Sequence, residues 1–455
     1  MIRLPFLSLL LALGCTTPLP IFDDAGRVEI DAGPGDAGFD GGPVDDAGPG
    51  DAGFDGGFDA GLDGGFDGGL DAGSDAGVDA GPPPGVLRVT VGSDHTCALL
   101  DTGVPYCWGR DDRGQLGDGT ASAASRATPE PVIDITNASL LQAGWGATCA
   151  VDATDGQAMC WGHNSFARFG TVAGSGTTPT PVPLVFIGAS EPILDLQQNA
   201  SHLCVRTATA VHCSGRNRHG QLGRSGGDSI LLSAVEGLPF GRVPRSVAVG
   251  YSATSGFTLI ALDDGSVWCF GTNDDAECAM VASPEVSVPT AIPGLSRIVQ
   301  VVAGSDFACA LDDAGAVFCW GSNSDGHTGN GTIGGPDVET PTAVAIPAIG
   351  RLSAEGGSVI AVTADGHGVY GWGANTSGLL GLGPAMSGAQ ATPTPILVDA
   401  MSTFEAEVGQ SHACLLQRRA GMSDTILCAG SNGELELGMS PAPDPTHFNP
   451  IVGFP

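Results

Sequence analysis

Lysine is missing from all 455 residues, and the 17 basic side chains are arginines. That absence excludes Schiff-base chemistry and the lysine of a phosphate-binding Gly–Lys loop. Positive charge of any kind is scarce. Fifty acidic residues leave a formal net charge of -33, which repels phosphate backbones and argues against nucleic-acid binding. No H-E-x-x-H or C-x-x-C occurs, so neither the common zinc-protease helix nor a paired-thiol motif is present. Apolar runs are short. Leu4 to Gly14 is the candidate, and its 11 residues fall below the about 20 a helix needs to span a bilayer.

Glycine (72) and proline (32) are abundant, while charged residues make up only 15%. That composition suits many short strands joined by turns rather than long helices. The N-terminus has Arg3 followed by the apolar run, the form of a signal-peptide core over residues 1–14. Its end, Ala12-Leu13-Gly14-Cys15, resembles the lipobox of bacterial lipoproteins. The resemblance implies cleavage before Cys15 and acylation of that residue. The match departs at Ala12, where the family prefers Leu, although Leu11 lies just before it. An ordinary cleaved signal is the alternative. The implied location is an outer-membrane or cell-surface lipoprotein, with a secreted or periplasmic protein as the alternative.

Residues 15–85 hold the candidate lipid attachment and a low-complexity stretch. An Asp falls at every fourth position from Asp51 to Asp79, in units of the form D-A/G-G-x. Residues 23–80 carry 16 acidic groups against the single Arg27. Such sequence has too little apolar area to offset the entropy of ordering, and its like charges repel. It reads as a disordered acidic stalk with an r.m.s. span of about 45 Å. Calcium binding is the alternative, but a plain D-x-G-x array lacks the converging ligand spacing of known calcium loops.

From residue 86 to 455 a strand–turn–strand unit recurs. One copy reads GSDHTCALLDTGVPYCWGRDDRGQLGDGT from Gly92, and another GSDFACALDDAGAVFCWGSNSDGHTGNGT from Gly304. The W-G position falls at Trp108, Trp161, Ser214, Phe270, Trp320, Trp372 and Ala429, in steps of 50 to 57 residues. That period belongs to propellers and solenoids. The features G-x-x-H-x-C-A-L, V-x-C-W-G and N-x-x-G-Q-L-G resemble the regulator of chromosome condensation repeat family. The resemblance implies an all-β, seven-bladed β-propeller. Ser214, Phe270 and Ala429 depart at the Trp, and Gly433–Gly438 reads GELELG instead of GQLG. The first copy also begins in the middle of a repeat junction, at Val86-Leu87-Arg88-Val89, and the last stops in the first half of one, at Pro450-Ile451-Val452-Gly453-Phe454-Pro455. This predicts that the two ends pair in a closing blade.

Twelve cysteines lie in the repeats. Five pairs sit on the two arms of predicted hairpins, within disulfide reach: Cys97 with Cys107, Cys149 with Cys160, Cys204 with Cys213, Cys309 with Cys319, and Cys414 with Cys428. The copy with Ile260 at the first position retains Cys269, and Cys278 nearby offers a sixth bridge. One copy has Ile360 and Gly371 in place of both cysteines, and this joint absence favours pairing. Buried small hydrophobes are the alternative role. His95, His202 and His412 share one repeat position. A residue repeated once per blade is spread around a ring, so these read as structural hydrogen-bonders. No catalytic residue, cofactor or metal site is expected.

The family's eukaryotic namesake exchanges guanine nucleotide on a small GTPase, a role resting on the family name alone. The superfamily also includes a secreted β-lactamase inhibitory propeller that acts by protein binding. Three functions therefore stand. The first is a monomeric, membrane-tethered protein-binding scaffold using irregular loops at 163–183, 251–257 and 383–395. The second is an envelope glycan hydrolase or lyase with carboxylates at the propeller mouth. The third is a structural envelope component. The partner is a protein or an envelope polysaccharide, and the membrane is met through the N-terminal lipid alone.

Overall fold

The computed structural model describes residues 84–170, 176–186, 191–251, 256–439 and 444–451. The signal segment, Cys15 and the acidic stretch lie outside the described residues. The rest is a seven-bladed propeller of seven four-stranded antiparallel sheets, each built from consecutive strands. Blade 1 comprises Val86–Val91, His95–Leu100, Pro105–Asp111 and Ser122–Pro131. Blade 7 comprises Ser402–Val408, His412–Arg419, Thr425–Gly430 and Asn449–Pro450. Among the described residues, only three single-turn 3-10 helices interrupt the strands.

Strand character follows from burial. The second strand of each blade lies in the sheet interior between neighbouring blades, so its apolarity is nearly continuous. All six residues of His95–Leu100 are buried. The fourth strand is the rim, and outside blade 3, where it reads SILLSA, it carries proline, as in Thr177–Pro183 with Pro179, Pro181 and Pro183. Proline withholds an N–H from the open edge and discourages edge-to-edge pairing. The apolar core is correspondingly divided. Seven buried clusters occupy the seven blade junctions, one each.

The expected cysteine pairs form. Cys97 is bonded to Cys107, Cys149 to Cys160, Cys204 to Cys213, Cys309 to Cys319, and Cys414 to Cys428. These five disulfides join directly opposed residues of second and third strands, with Cα atoms 4.1 or 4.2 Å apart. Cys269 bonded to Cys278 is the sixth, at 5.4 Å. Its geometry differs because Cys278 lies in the turn after the third strand rather than on the second strand. Each disulfide closes a short loop, which restricts the unfolded chain by about 3 kcal/mol. Opposite Cys269 stands Leu259 rather than Ile260, so the register of blade 4 is one residue from the sequence expectation.

Among the described residues the ends do not pair with one another. Val86–Val91 pairs only with its own second strand, and Asn449–Pro450 pairs with Thr425–Gly430. The chain enters at an inner strand and leaves at an outer one, so every sheet is completed locally and no shared blade is required. The ring closes instead by face packing of blade 7 on blade 1. Val86, Val89 and Val91 share a buried cluster with Cys414, Leu416 and Ile426. Around it, Arg418 donates to the carbonyls of Val86 and Leu87 at 2.9 and 3.0 Å. Asp424 accepts from the Val86 N–H at 3.0 Å.

Candidate functional site

Because the strands alternate up and down, one face carries the turns after each first and third strand. We call it the upper face. After the third strand the motif N-x-x-G-Q-L-G makes a tight turn in all seven blades. Its first side chain, an Asn or Asp, accepts the N–H five residues on, from Asp111–Leu116 to Asn432–Leu437. The carbonyl of its fifth residue then receives a donor from the next blade. Trp161 donates to Gln115, Trp320 to Glu277 and Trp372 to His327, at 2.8 or 2.9 Å. Where Ser214 replaces Trp, its hydroxyl donates to the Arg168 carbonyl at 2.5 Å.

The repeated histidines are part of the same fastening. His95 meets Thr148, His202 meets Thr258 and His412 meets Thr96, each across a junction at 2.7–2.9 Å. All three are fully buried. Desolvation pushes each down to about 3, so they are neutral near pH 7.

The central channel holds a cavity of about 420 Å³ lined by the inner strands. Its polar groups stitch neighbouring blades together. Gln300 exchanges two hydrogen bonds with the Leu352 backbone. The hydroxyls of Thr90, Ser246 and Ser353 accept from the N–H of Ala143, Val301 and Val408 of the next blade. Its carboxylates are largely ion-paired, with Arg351 2.7 Å from Glu407 and 3.6 Å from Glu405. Burial raises Asp195 and lifts Glu355 to about 7, but Asp195 begins one inner strand and Glu355 ends another, so they lie at opposite ends of the channel. Asp195 and Glu355 therefore do not make an acid–nucleophile pair of the kind glycan hydrolysis uses. Residues 223–227, Gly-Arg-Ser-Gly-Gly, match G-x-S-x-G, but Ser225 sits in an exposed bend with no following helix.

Two clusters on the upper face stand apart from this fastening. The first spans blades 1 to 3. The Arg113 guanidinium lies 4.9 Å from the Trp145 ring centroid, and its Nη1 is 2.6 Å from His163 Nδ1. Trp145 and His163 are 5.3 Å apart between centroids, and Arg216 lies 5.2 Å from the ring of Phe166. Phe166 is exposed, and Trp145, His163, Arg113 and Arg216 are half-buried. Burial, then the charges of Arg113 and Arg168, push His163 down to about 4, so it stays neutral and accepts from Arg113. The second cluster is acidic and sits between blades 4 and 5. It contains Asp275, Glu277 and Asp306.

Of the three irregular loops singled out from sequence, 163–183 contributes His163 and Phe166, with residues 171–175 outside the described set. Residues 252–255 of the second loop also lie outside it. The third, 383–395, presents the partly exposed Met386 and joins neither cluster. Arg113, Trp145 and Arg216 escaped sequence reasoning because they come from different copies, and the contacts that join them to the patch form only when neighbouring blades pack.

A family model described as RCC1-like domain matches residues 68–415, and the chain belongs to that family. It is similar to the ultraviolet-B receptor UVR8 of Arabidopsis thaliana, 26% identical over 369 residues, covering 79% of this chain and 80% of that protein. Among solved structures, human WBSCR16 superposes with a TM-score of 0.66 at 20% identity, over 76% of this chain and 94% of that one. Yeast RCC1 (Prp20), solved bound to Kap60, gives 0.62 at 19%, over 74% and 81%.

Proposed function

Taking membership of the RCC1-like propeller family as the premise, we propose that this protein is a binding scaffold that captures a partner protein on its upper face. The observation that carries this reading is the arginine–aromatic patch of Arg113, Trp145, His163, Phe166 and Arg216. Trp and Arg are enriched among residues that dominate binding energy, and their pre-stacked arrangement lowers the entropy lost on docking. Arg216 has no carboxylate partner within ion-pair distance among the described residues, and Arg113 has only Asp112 at 4.0 Å. In a chain of net charge -33, this unneutralised arc favours a partner that presents carboxylates flanked by apolar side chains.

Yeast RCC1, of similar fold, was solved bound to Kap60, although at 19% identity no contact residue carries over. The channel and the repeated His and Trp residues are occupied in holding blades together, which weakens the enzyme reading. We further propose that the scaffold is exported and tethered through acylated Cys15, with the acidic stretch as spacer. Six disulfides support an oxidising compartment. Substituting Cys15→Ser is expected to move the full chain from the detergent phase to the aqueous phase in a partition assay. Unchanged partitioning rejects the tether.

The docking test uses the full chain as bait in cell-envelope extracts. Arg113→Ala/Trp145→Ala is expected to lose a partner that the wild type retains. Phe240→Ser removes a fully exposed ring from the opposite face and is expected to retain it. Phe240 is fully exposed, whereas Arg113 and Trp145 are half-buried, so the two variants are compared with the wild type only where their Tm matches.

A further inference from the structure

The tight turn of blade 4 departs from its copies in charge. It reads Asn273-Asp274-Asp275-Ala276-Glu277-Cys278-Ala279, where blade 1 has Arg113 and Gln115 and blade 3 has His219 and Gln221 at the third and fifth positions. The first hairpin turn of blade 5 places Asp306 against it. One oxygen from each of Asp275, Glu277 and Asp306 lies within 4.8 Å of the others. The Glu277 side chain is fully buried. Its Oε2 accepts from the Asp275 N–H at 3.0 Å, but its Oε1 is sealed from solvent without a partner. Asp306 Oδ1 is likewise sealed and unpartnered. Asp306 also holds a left-handed backbone, with φ 63°. Two sealed, unpartnered acceptor atoms thus belong to one cluster of three carboxylates.

The ring contains an internal control for what belongs there. At the junction of blades 7 and 1 the same three positions are Glu434, Glu436 and Asp94. In that twin, Arg110 follows Trp108-Gly109 and places Nη1 3.3 Å from Asp94 Oδ2. The matching residue after Trp320-Gly321 is Ser322. The twin therefore carries a cation at Asp94, while its Glu436 Oε1 is sealed and unpartnered like Glu277 Oε1, so the two sites differ at Asp306, whose Oδ1 has no partner where Asp94 has Arg110. Asp275, Glu277 and Asp306 have no basic side chain within ion-pair distance among the described residues.

We propose that Asp275, Glu277 and Asp306 bind a divalent, oxygen-preferring cation, calcium, that fastens blade 4 to blade 5. Calcium–oxygen distances of about 2.3–2.6 Å let one ion touch oxygens up to about 5 Å apart, which fits the observed spread. Three carboxylates supply hard ligands, and calcium accepts water in its remaining positions. The ion compensates the buried Glu277 carboxylate, whose isolation is otherwise costly.

Terbium is a suitable probe, because it takes calcium sites and emits when a nearby Trp is excited. Trp320 donates to the Glu277 carbonyl at 2.8 Å, next to the site. Residues 1–85 contain neither Trp nor Tyr, so terbium held by the acidic stretch stays dark. With the full chain, sensitised emission is expected, displaced by calcium at lower concentration than by magnesium. Glu277→Gln and Asp306→Asn are each expected to weaken binding by at least about tenfold. Glu436→Gln, at the twin, is expected to change nothing. Ser322→Arg is expected to abolish the emission while keeping the metal-free Tm of the wild type, and calcium is expected to raise the Tm of the wild type and of Glu436→Gln but not of Ser322→Arg. Absence of wild-type emission, emission indifferent to Glu277→Gln, equal loss in Glu436→Gln, or preferential displacement by magnesium each overturns the proposal.

Discussion

At the scale of the residue, the tight turn imposes a left-handed backbone at its fourth position in every blade. Gly114, Gly220, Gly326 and Gly378 meet it without strain, whereas Ala167, Ala276 and Leu435 adopt it with a side chain. The demand at Gly114 is also steric, because an added Cβ would lie 2.5 Å from the Pro179 Cα of the next blade. Gly114→Ala is therefore expected to destabilise by about 2–4 kcal/mol in urea unfolding, from backbone strain plus overpacking. Gly294 has φ 82° but nothing within 4 Å of an added Cβ, so Gly294→Ala should lose only the backbone contribution of about 1 kcal/mol. Equal losses at the two sites refute the steric argument. The sequence marked these turns by their glycines and placed the paired cysteines correctly. It did not reveal that the motif's Asn caps the turn, because that bond depends on the folded turn geometry.

At the scale of the element, each blade is a complete meander that depends on its neighbours. The His–Thr contacts illustrate this dependence. His202 is buried against Thr258 of the next blade, and desolvation, then the Arg168 charge, lowers it to about 3. Between about pH 6.5 and 3 the unfolded chain takes up a proton at this position while the folded chain does not. Stability from the neutral ring is thus present above the unfolded value and lost as the pH falls toward the folded one. The stability difference between wild type and His202→Gln is expected to move against the wild type by about 1.4 kcal/mol per pH unit on acidification through this window. Parallel stability curves contradict the assignment. The sequence identified these histidines as structural from their recurrence alone. Their partners were hidden, since Thr96, Thr148 and Thr258 stand one copy away from the histidines they meet.

At the scale of the whole molecule, ring closure is the property that sequence reasoning assigned to the wrong contact. The two half-junctions at the termini looked complementary, but each sheet is already complete, and closure falls to packing between blades 7 and 1. Arg418 is central to it, holding two carbonyls of the entering strand. Arg418→Ala is expected to cost about 1–3 kcal/mol of global stability. Arg297→Ala, which removes an exposed pair with Asp313, should cost less than about 1 kcal/mol. Similar small losses for both argue against Arg418 as a closing contact. The architecture was legible because seven copies repeat one pattern of burial. The upper-face patch was not, because Arg113, Trp145 and Arg216 belong to three different copies and break the repeat rather than follow it. The central claim is that the repeated residues hold the ring and the departures from repetition bind the partner. The most direct measurement is the recovery of partner protein from envelope extract on three full-chain baits of matched Tm. The account predicts equal recovery on wild type and Phe240→Ser, and loss on Arg113→Ala/Trp145→Ala. Full recovery on the double variant, or loss on Phe240→Ser alone, contradicts it.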